Sequence, residues 1–124
     1  MKETPISENH LYGKVYARGQ KCICRQVVVY VLADRRAGQL AKAHPEKKKV
    51  NRIGLTVTKK IGGAVIRNRV KRIIRAAYRC CLQKKKLKTG YLIVIVARPA
   101  AVSAKSADIE KDLTFAFTRL GLYL

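Results

Sequence analysis

One amphipathic stretch, Lys59 to Arg79, places the strongest constraint on how this chain can fold. On a helix, with about 100° between successive residues, its apolar and its basic side chains separate onto opposite sides. The apolar stripe consists of Ile66, Val70, Ile73, Ile74 and Ala77, and it continues into Cys80 and Cys81 directly after the stretch. The polar side consists of Asn68, Lys71, Arg72, Arg75 and Arg79, with Arg67 and Arg69 on its shoulders. Such a helix buries one side against a core, and its other side suits an external polyanion.

The charge of the whole chain supports the same interpretation. The formal net charge is +21 over 124 residues, and no Asp or Glu occurs from Lys47 through Ala107. Because such self-repulsion destabilises a compact state, a partner of opposite charge is expected. Nucleic acid is the commonest such partner, and an anionic membrane surface is the alternative. No apolar run is long enough to span a bilayer, so we expect no membrane partner.

The N-terminus and the cysteines indicate where the chain works. MKETPISENH lacks the apolar segment of a signal peptide, so we expect a cytoplasmic protein whose thiols stay reduced. The four cysteines form two close pairs, Cys22 with Cys24 and Cys80 with Cys81. Neither spacing is the C-x-x-C of a zinc knuckle. We therefore interpret them as small buried hydrophobic residues and predict no metal ligands.

The order of the predicted elements is typical of one α+β domain spanning residues 1–124, a two-layer sandwich with helices on a small sheet. Residues 1–8 are expected to be a loose lead-in. The connection from Asp34 to Val50 is polar and ends in a lysine run, which suits either a solvated loop or a contact site. The predicted elements are a helix capped by Asn9 that runs to about Arg18, strand character at Cys22–Ala33, a strand at Arg52–Thr58, the basic helix to about Leu87, a strand at Tyr91–Ala97 and a helix capped by Ser106 that ends near Gly121.

Three tyrosines are ambiguous at this level. Tyr12 and Tyr16 lie one turn apart on the first helix, so both rings share a face. Tyr30 lies in the middle of the strand that follows. Aromatic residues at such spacings usually pack in the core, but they also serve as stacking platforms for nucleic-acid bases. The pattern alone leaves both alternatives open.

Groups for catalysis are not arranged together in this sequence. Of seven carboxylates, only Asp108, Glu110 and Asp112 lie in a predicted helix, and their spacing of two residues prevents them from converging on one face. His10 and His44 have no evident orienting partner, and no glycine-rich phosphate-binding motif is present. We therefore predict no catalytic residues, and we expect the chain to bind rather than to catalyse alone.

The segment KKIGGAVIRNRVKRIIR, Lys59 to Arg75, closely resembles the RNR signature of the protein subunit of bacterial ribonuclease P. The similarity extends to the first helix and strand, through Tyr12, Tyr16, Gly19, Arg25-Gln26 and Tyr30, and to Tyr91–Ala97 followed by Arg98-Pro99. The resemblance implies a small mixed sheet of element order αβββαβα, ribosomal protein S5 domain 2-like. It also implies that the basic helix makes a left-handed βαβ crossover, against the usual right-handed preference.

The resemblance also implies a function. The protein would assist a catalytic RNA that removes the 5′ leader from precursor tRNA, with Mg²⁺ held by the RNA and the substrate and none by the protein alone. The implied partners are this RNA and precursor tRNA, and no further protein is required. Contacts to the catalytic RNA are expected from Lys59, Lys60, Arg67, Asn68, Arg69, Lys71, Arg72 and Arg75, and contacts to the leader from Tyr12, Tyr16, Arg25 and Tyr30. The alternative is a basic ribosomal or RNA-chaperone protein with no associated catalysis, which shares the charge but does not explain the RNR spacing.

Overall fold

A computed structural model describes residues 4–6, 9–34 and 51–124. After a two-residue strand, the elements follow the predicted order αβββαβα, and the α+β class is confirmed. The elements are β1 (Thr4–Pro5), α1 (Asn9–Arg18), β2 (Gln20–Ile23), β3 (Val27–Ala33), β4 (Arg52–Thr56), α2 (Ala64–Lys84), β5 (Tyr91–Ala97), a 3₁₀ turn (Pro99–Ser103) and α3 (Ser106–Arg119).

The strands form one small mixed sheet in the order β1-β4-β5-β3-β2. β4 pairs with β5 in parallel, and β5 with β3 and β3 with β2 are antiparallel. Because α2 connects the parallel neighbours β4 and β5, these three elements form a βαβ unit. The handedness of this crossover stays a prediction.

The sheet separates two hydrophobic clusters. Side chains alternate along β3, so that Val27, Val29 and Val31 are buried under α2 and α3. The larger cluster on that face also contains Ile74 and Phe117. On the opposite face, α1 contributes Leu11 and Val15, and β5 contributes Leu92 and Val94, with partly buried Tyr12 and Tyr30 against them. Helices therefore cover both faces, with α1 alone on one of them among the described elements.

Two segments near the N-terminus differ from the sequence prediction. The expected loose lead-in is wrong for Thr4 to Ile6, because Thr4–Pro5 pairs with Arg52–Ile53 and the Ile6 N–H donates to the Ile53 carbonyl at 3.0 Å. Residues 1–3 and 7–8 of that lead-in lie outside the described residues.

The predicted continuous strand Cys22–Ala33 is instead a hairpin of β2 and β3. Tertiary contacts hold its turn: the Asp112 carboxylate accepts the Gln26 N–H at 2.8 Å, and Arg98 Nη1 donates to the Cys24 carbonyl at 2.6 Å. Arg25 therefore lies in a turn and not on a strand face. The polar pair Arg25-Gln26 interrupts the apolar residues at this point, but the sequence does not show that the chain turns there.

The boundaries of the two long helices are also refined. α2 ends at Lys84, and Leu87 is buried in a separate bridge with Tyr123. In α3, the Asp108 carboxylate accepts the Lys105 N–H at 2.9 Å, so the cap lies one residue before the predicted Ser106. Of the predicted stripe, Val70, Ile74, Ala77 and Cys81 are buried, Ile73 and Cys80 are partly buried, Ile66 is 40% exposed, and the unpredicted Tyr78 is buried.

A buried ion pair joins the end of β3 to the start of β4. Arg52 donates from Nε and Nη2 to the two carboxylate oxygens of Asp34, at 2.7 and 3.0 Å. Nearby, Asn51 accepts the Tyr91 N–H at 2.9 Å and donates to the Lys88 carbonyl at 2.8 Å. These contacts hold the N-terminal end of β4 in place. The connection with its lysine run at residues 47–49 lies outside the described residues.

Candidate nucleic-acid interface

The outer side of α2 and the turn before it carry the first candidate surface, here called the basic surface. The helix orients it by burying Val70, Ile74 and Ala77 completely, so that the opposite side chains must face outward. Arg67 and Lys71 are half-buried at one shoulder, and the other members are exposed. The basic surface consists of Lys59, Lys60, Arg67, Asn68, Arg69, Lys71, Arg72 and Arg75.

Carboxylates do not neutralise the basic surface within the described ranges. The acidic residues of α3 have other partners: Glu110 pairs with Lys84, and Asp108 and Asp112 accept backbone N–H groups. Arg69 Nη1 donates to the Val102 carbonyl at 2.8 Å, and Arg67 Nε is buried without a hydrogen-bond partner among the described residues. The cations therefore remain available to an anionic ligand, for which guanidinium groups supply paired donors.

The second candidate surface is a tyrosine cluster formed by Tyr12, Tyr16 and Tyr30 between α1 and the sheet. Tyr16 is 41% exposed, and its ring meets the ring of Tyr30 edge to face at a centroid distance of 5.0 Å. Tyr12 and Tyr30 are half-buried. The cluster thus combines the two alternatives left open by the sequence, core packing and a stacking platform. Its rings pack against the smaller core, and they also present an aromatic surface.

Two residues of β4, Gly54 and Thr56, were missed by the sequence reasoning as part of this site. The Tyr16 hydroxyl and the Thr56 hydroxyl are hydrogen-bonded at 2.7 Å, and Tyr12 packs directly over Gly54. A signal existed, because the alternation in β4 places Gly54 and Thr56 on one side, and a glycine inside a strand often marks a close approach. Arg25, predicted beside the tyrosines, makes none of the contacts described for them.

Burial changes the chemistry of Tyr12. It raises the pKa of this phenol above its ordinary value of 10.0, and the neighbouring Tyr16 raises it further. A phenol is already protonated near neutral pH at its ordinary pKa, so the shift only makes ionisation still less favourable, and the hydroxyl adds no negative charge to the site. A neutral ring beside cations suits stacking with bases and hydrogen bonding to an anionic strand.

A groove connects the two surfaces at the edge of β4. Its volume is about 320 Å³. Tyr12 and Gly54 line one side, and Lys71 and Arg75 of α2 line the other, with Pro5, Ile53 and Leu55 completing it. The tyrosine cluster and the basic surface are therefore contiguous, which the linear sequence did not indicate.

The cysteines take the packing role expected of them. Cys22, Cys24 and Cys81 are buried and Cys80 is partly buried, and all are free thiols. Burial raises the pKa of Cys24 to about 12, with a further contribution from Cys22, and burial also raises the pKa of Cys81. Thiols this hard to ionise are poor nucleophiles. In the described ranges, no three His, Cys, Asp or Glu side chains are grouped for a metal ion, and no helix is long and apolar enough to cross a membrane.

Comparisons with known proteins identify the family of this chain. The family model described as Ribonuclease P matches residues 1–121. The Ribonuclease P protein component of Clostridium botulinum is 36% identical over 123 residues, covering 99% of each chain. That of Clostridium acetobutylicum is 36% identical over 124 residues, covering 100% of this chain and 94% of the relative. The solved RNase P protein of Staphylococcus aureus superposes with a TM-score of 0.76 at 25% identity, covering 99% and 100%.

The family match spans nearly the whole chain, and the relatives match it from end to end. The basic surface and the tyrosine cluster both lie inside the matched region. This chain therefore belongs to the ribonuclease P protein family.

Proposed function

We propose that this protein binds the catalytic RNA of ribonuclease P through its basic surface and the 5′ leader of precursor tRNA through its tyrosine cluster. Family membership makes it a component of the ribonuclease P ribonucleoprotein, which matures the 5′ ends of tRNAs. This division of roles rests on one contrast. The cations of the basic surface have no carboxylate partners in the described ranges, whereas the tyrosine cluster is a patch of half-exposed rings.

The basic surface suits a folded RNA. Its helical members lie between Arg67 and Arg75 of α2, a rise of roughly 12 Å, and Lys59 and Lys60 lie in the turn before the helix, so that several cations are presented side by side to phosphates. Guanidinium groups make paired hydrogen bonds with phosphate oxygens, which fixes orientation as well as affinity. This surface would hold the catalytic RNA in its active shape.

The tyrosine cluster suits a single-stranded segment. Aromatic rings stack with any base, so a leader of variable sequence can be held without strict base reading. Lys71 and Arg75 border the same groove as Tyr12 and supply positive charge close to the path of such a strand. We place hydrolysis on the RNA, with Mg²⁺ held by the RNA and its substrate. The complex would work in the cytoplasm without a further protein partner.

Reconstitution tests this proposal. The protein is added to the matching RNA, and cleavage of precursor tRNA is followed while the Mg²⁺ concentration is varied. We expect the protein to lower the Mg²⁺ concentration needed for half-maximal cleavage, because its cations replace metal ions in screening phosphates.

Two outcomes would contradict it. An unchanged Mg²⁺ requirement would favour the alternative of a basic ribosomal or RNA-chaperone protein. Cleavage by the protein free of RNA would show that the active site is not in the RNA. Bovine serum albumin at equal concentration controls for non-specific protection of the RNA.

A further inference from the structure

At the tyrosine cluster, the spacing of side chains along strand β4 matches the spacing of the tyrosines along helix α1. Gly54 and Thr56 lie two residues apart on one face of β4, a spacing of roughly 6.6 Å. Tyr12 and Tyr16 lie four residues apart on α1, a rise of roughly 6.0 Å. Because these spacings nearly coincide, each tyrosine meets its own residue of the strand, Tyr12 over Gly54 and Tyr16 over Thr56.

Thr56 holds Tyr16 through a hydrogen bond. A tyrosine that is 41% exposed gains limited orientation from packing alone, and its ring can turn with its rotamer. Here the hydroxyl is fixed to Thr56 Oγ1 at 2.7 Å, and the ring meets Tyr30 at an interplanar angle of 74°. One end and one edge of the ring are therefore restrained, which leaves the remaining surface presented to solvent in a defined orientation.

Because Gly54 has no side chain, the ring of Tyr12 can pack directly on the strand. A Cβ atom at this position would lie 2.5 Å from Tyr12 Oη and 2.7 Å from Cε1 and Cζ, closer than atoms can approach without displacement. These atoms are at the far end of the tyrosine side chain, so an added methyl group would push the ring away and leave the strand in place. Gly54 thus determines how deeply Tyr12 lies against the sheet.

We propose that Gly54 and Thr56 are positioning residues that orient Tyr12 and Tyr16 for the single-stranded leader of precursor tRNA. This inference rests on the proposed function of the tyrosine cluster. Neither residue need touch the leader, because each acts through the ring above it. Pre-oriented rings lose less conformational entropy when a base stacks on them, and this smaller loss makes binding of the leader tighter.

Variants at Thr56 test the hydrogen bond. Thr56→Val keeps the β-branched shape and removes the hydroxyl, whereas Thr56→Ser keeps the hydroxyl. With the reconstituted complex, the ratio of the Kd values for mature and precursor tRNA is measured. We expect Thr56→Val to lower this ratio roughly threefold to tenfold, the usual range for one net hydrogen bond, and Thr56→Ser to retain it within about twofold.

A double-mutant cycle separates positioning from general damage to the strand. Tyr16→Phe removes the other partner of the bond without altering β4. If the bond positions the ring, Tyr16→Phe combined with Thr56→Val lowers the ratio no further than either change alone. Additive losses, or equal losses for Thr56→Val and Thr56→Ser, would overturn the assignment of Thr56.

Gly54→Ala tests the packing of Tyr12, with Gly13→Ala as the matched control. Both changes add one methyl group, but at Gly13, on α1, nothing lies within 4 Å of the added atom. We expect Gly54→Ala to lower the preference for precursor tRNA several-fold, with mature tRNA bound as before, and Gly13→Ala to leave both unchanged. An undiminished preference in Gly54→Ala would refute the role of Gly54.

Tyr16→Ala distinguishes failure of this inference from failure of the proposed function. If Tyr16→Ala selectively weakens precursor binding while Thr56→Val and Gly54→Ala have no effect, the leader site stands and the positioning roles fail. If Tyr16→Ala weakens both RNAs equally, the leader site and this inference fail together. Melting temperatures of all variants, measured in parallel, show that each is folded.

Discussion

The basic surface presents its cations without carboxylate partners in the described part of the chain, whereas each ring of the tyrosine cluster contacts a neighbour in the protein. Arg72 and Arg75 are exposed on α2, and Tyr16 is bound to Thr56 and packed on Tyr30. The first surface attracts any polyanion over a distance, and the second acts only on contact. The proposed function therefore assigns two kinds of RNA recognition, one by charge and one by shape, to adjacent parts of one small fold.

This difference has a measurable consequence for salt. Binding by the basic surface releases counterions and must weaken steeply as salt rises. Stacking on the tyrosine cluster involves few ions, so the preference for precursor over mature tRNA should depend much less on salt.

The largest effect is expected when three cations of the basic surface are removed together. Arg67→Ala, Arg72→Ala and Arg75→Ala in one protein should weaken binding to the catalytic RNA roughly a hundredfold to a thousandfold, because several charged phosphate contacts are lost. Filter binding at fixed salt measures this. The control removes the same charge from α3 and its N-cap, through Lys105→Ala, Lys111→Ala and Arg119→Ala. Equal losses in both proteins would mean that net charge matters and that the basic surface is not a specific site.

An intermediate effect is expected from Tyr16→Ala. Loss of one stacking platform should weaken precursor binding by about 1–3 kcal/mol and leave mature tRNA within about twofold. Affinities of the reconstituted complex for the two RNAs provide the comparison. Phe115→Ala is the control, because Phe115 is an exposed aromatic residue on α3, away from the cluster. The same loss with both RNAs would contradict the leader assignment.

The smallest effect is expected from Arg72→Ala alone. Removing one phosphate contact should reduce the slope of log K against log salt by roughly 0.7 to 0.9, with a modest change in affinity. The measurement is a salt titration of binding to the catalytic RNA, with Lys111→Ala as the single-charge control. If the slope is unchanged, Arg72 does not contact a phosphate, and the division between charge and shape needs another residue.

The sequence predicted the fold well where one physical requirement dominates. Tyr91–Ala97 is found with the predicted bounds, since a continuous apolar run between clear breaks suits a strand covered on both faces. The orientation of α2 was predicted because its apolar stripe can only face the core. For helix α1 the sequence predicted a cap at Asn9 and an end near Arg18 before Gly19, and the helix is found from Asn9 to Arg18.

The prediction failed where tertiary contacts decide. The turn at Cys24–Gln26 is held by Asp112 and Arg98, which are distant in sequence, so the polar pair Arg25-Gln26 alone did not reveal it. The pairing of Thr4–Pro5 with β4 likewise depends on a strand far along the chain. The proposed roles of Gly54 and Thr56 depend on how α1 packs across the sheet. The alternation in β4 places both residues on one side, but it does not show which side chains lie over them.

The position of β4 has a consequence for the whole assembly. Its face supports Tyr12 and Tyr16, and only the short connection from Val57 to Gly63 separates its end from α2. The spacing between bound leader and bound ribozyme would then be set by the covalent backbone of this connection and by sheet pairing. Such a protein would hold the leader of every substrate at one fixed distance from the cleavage centre, whatever the leader sequence.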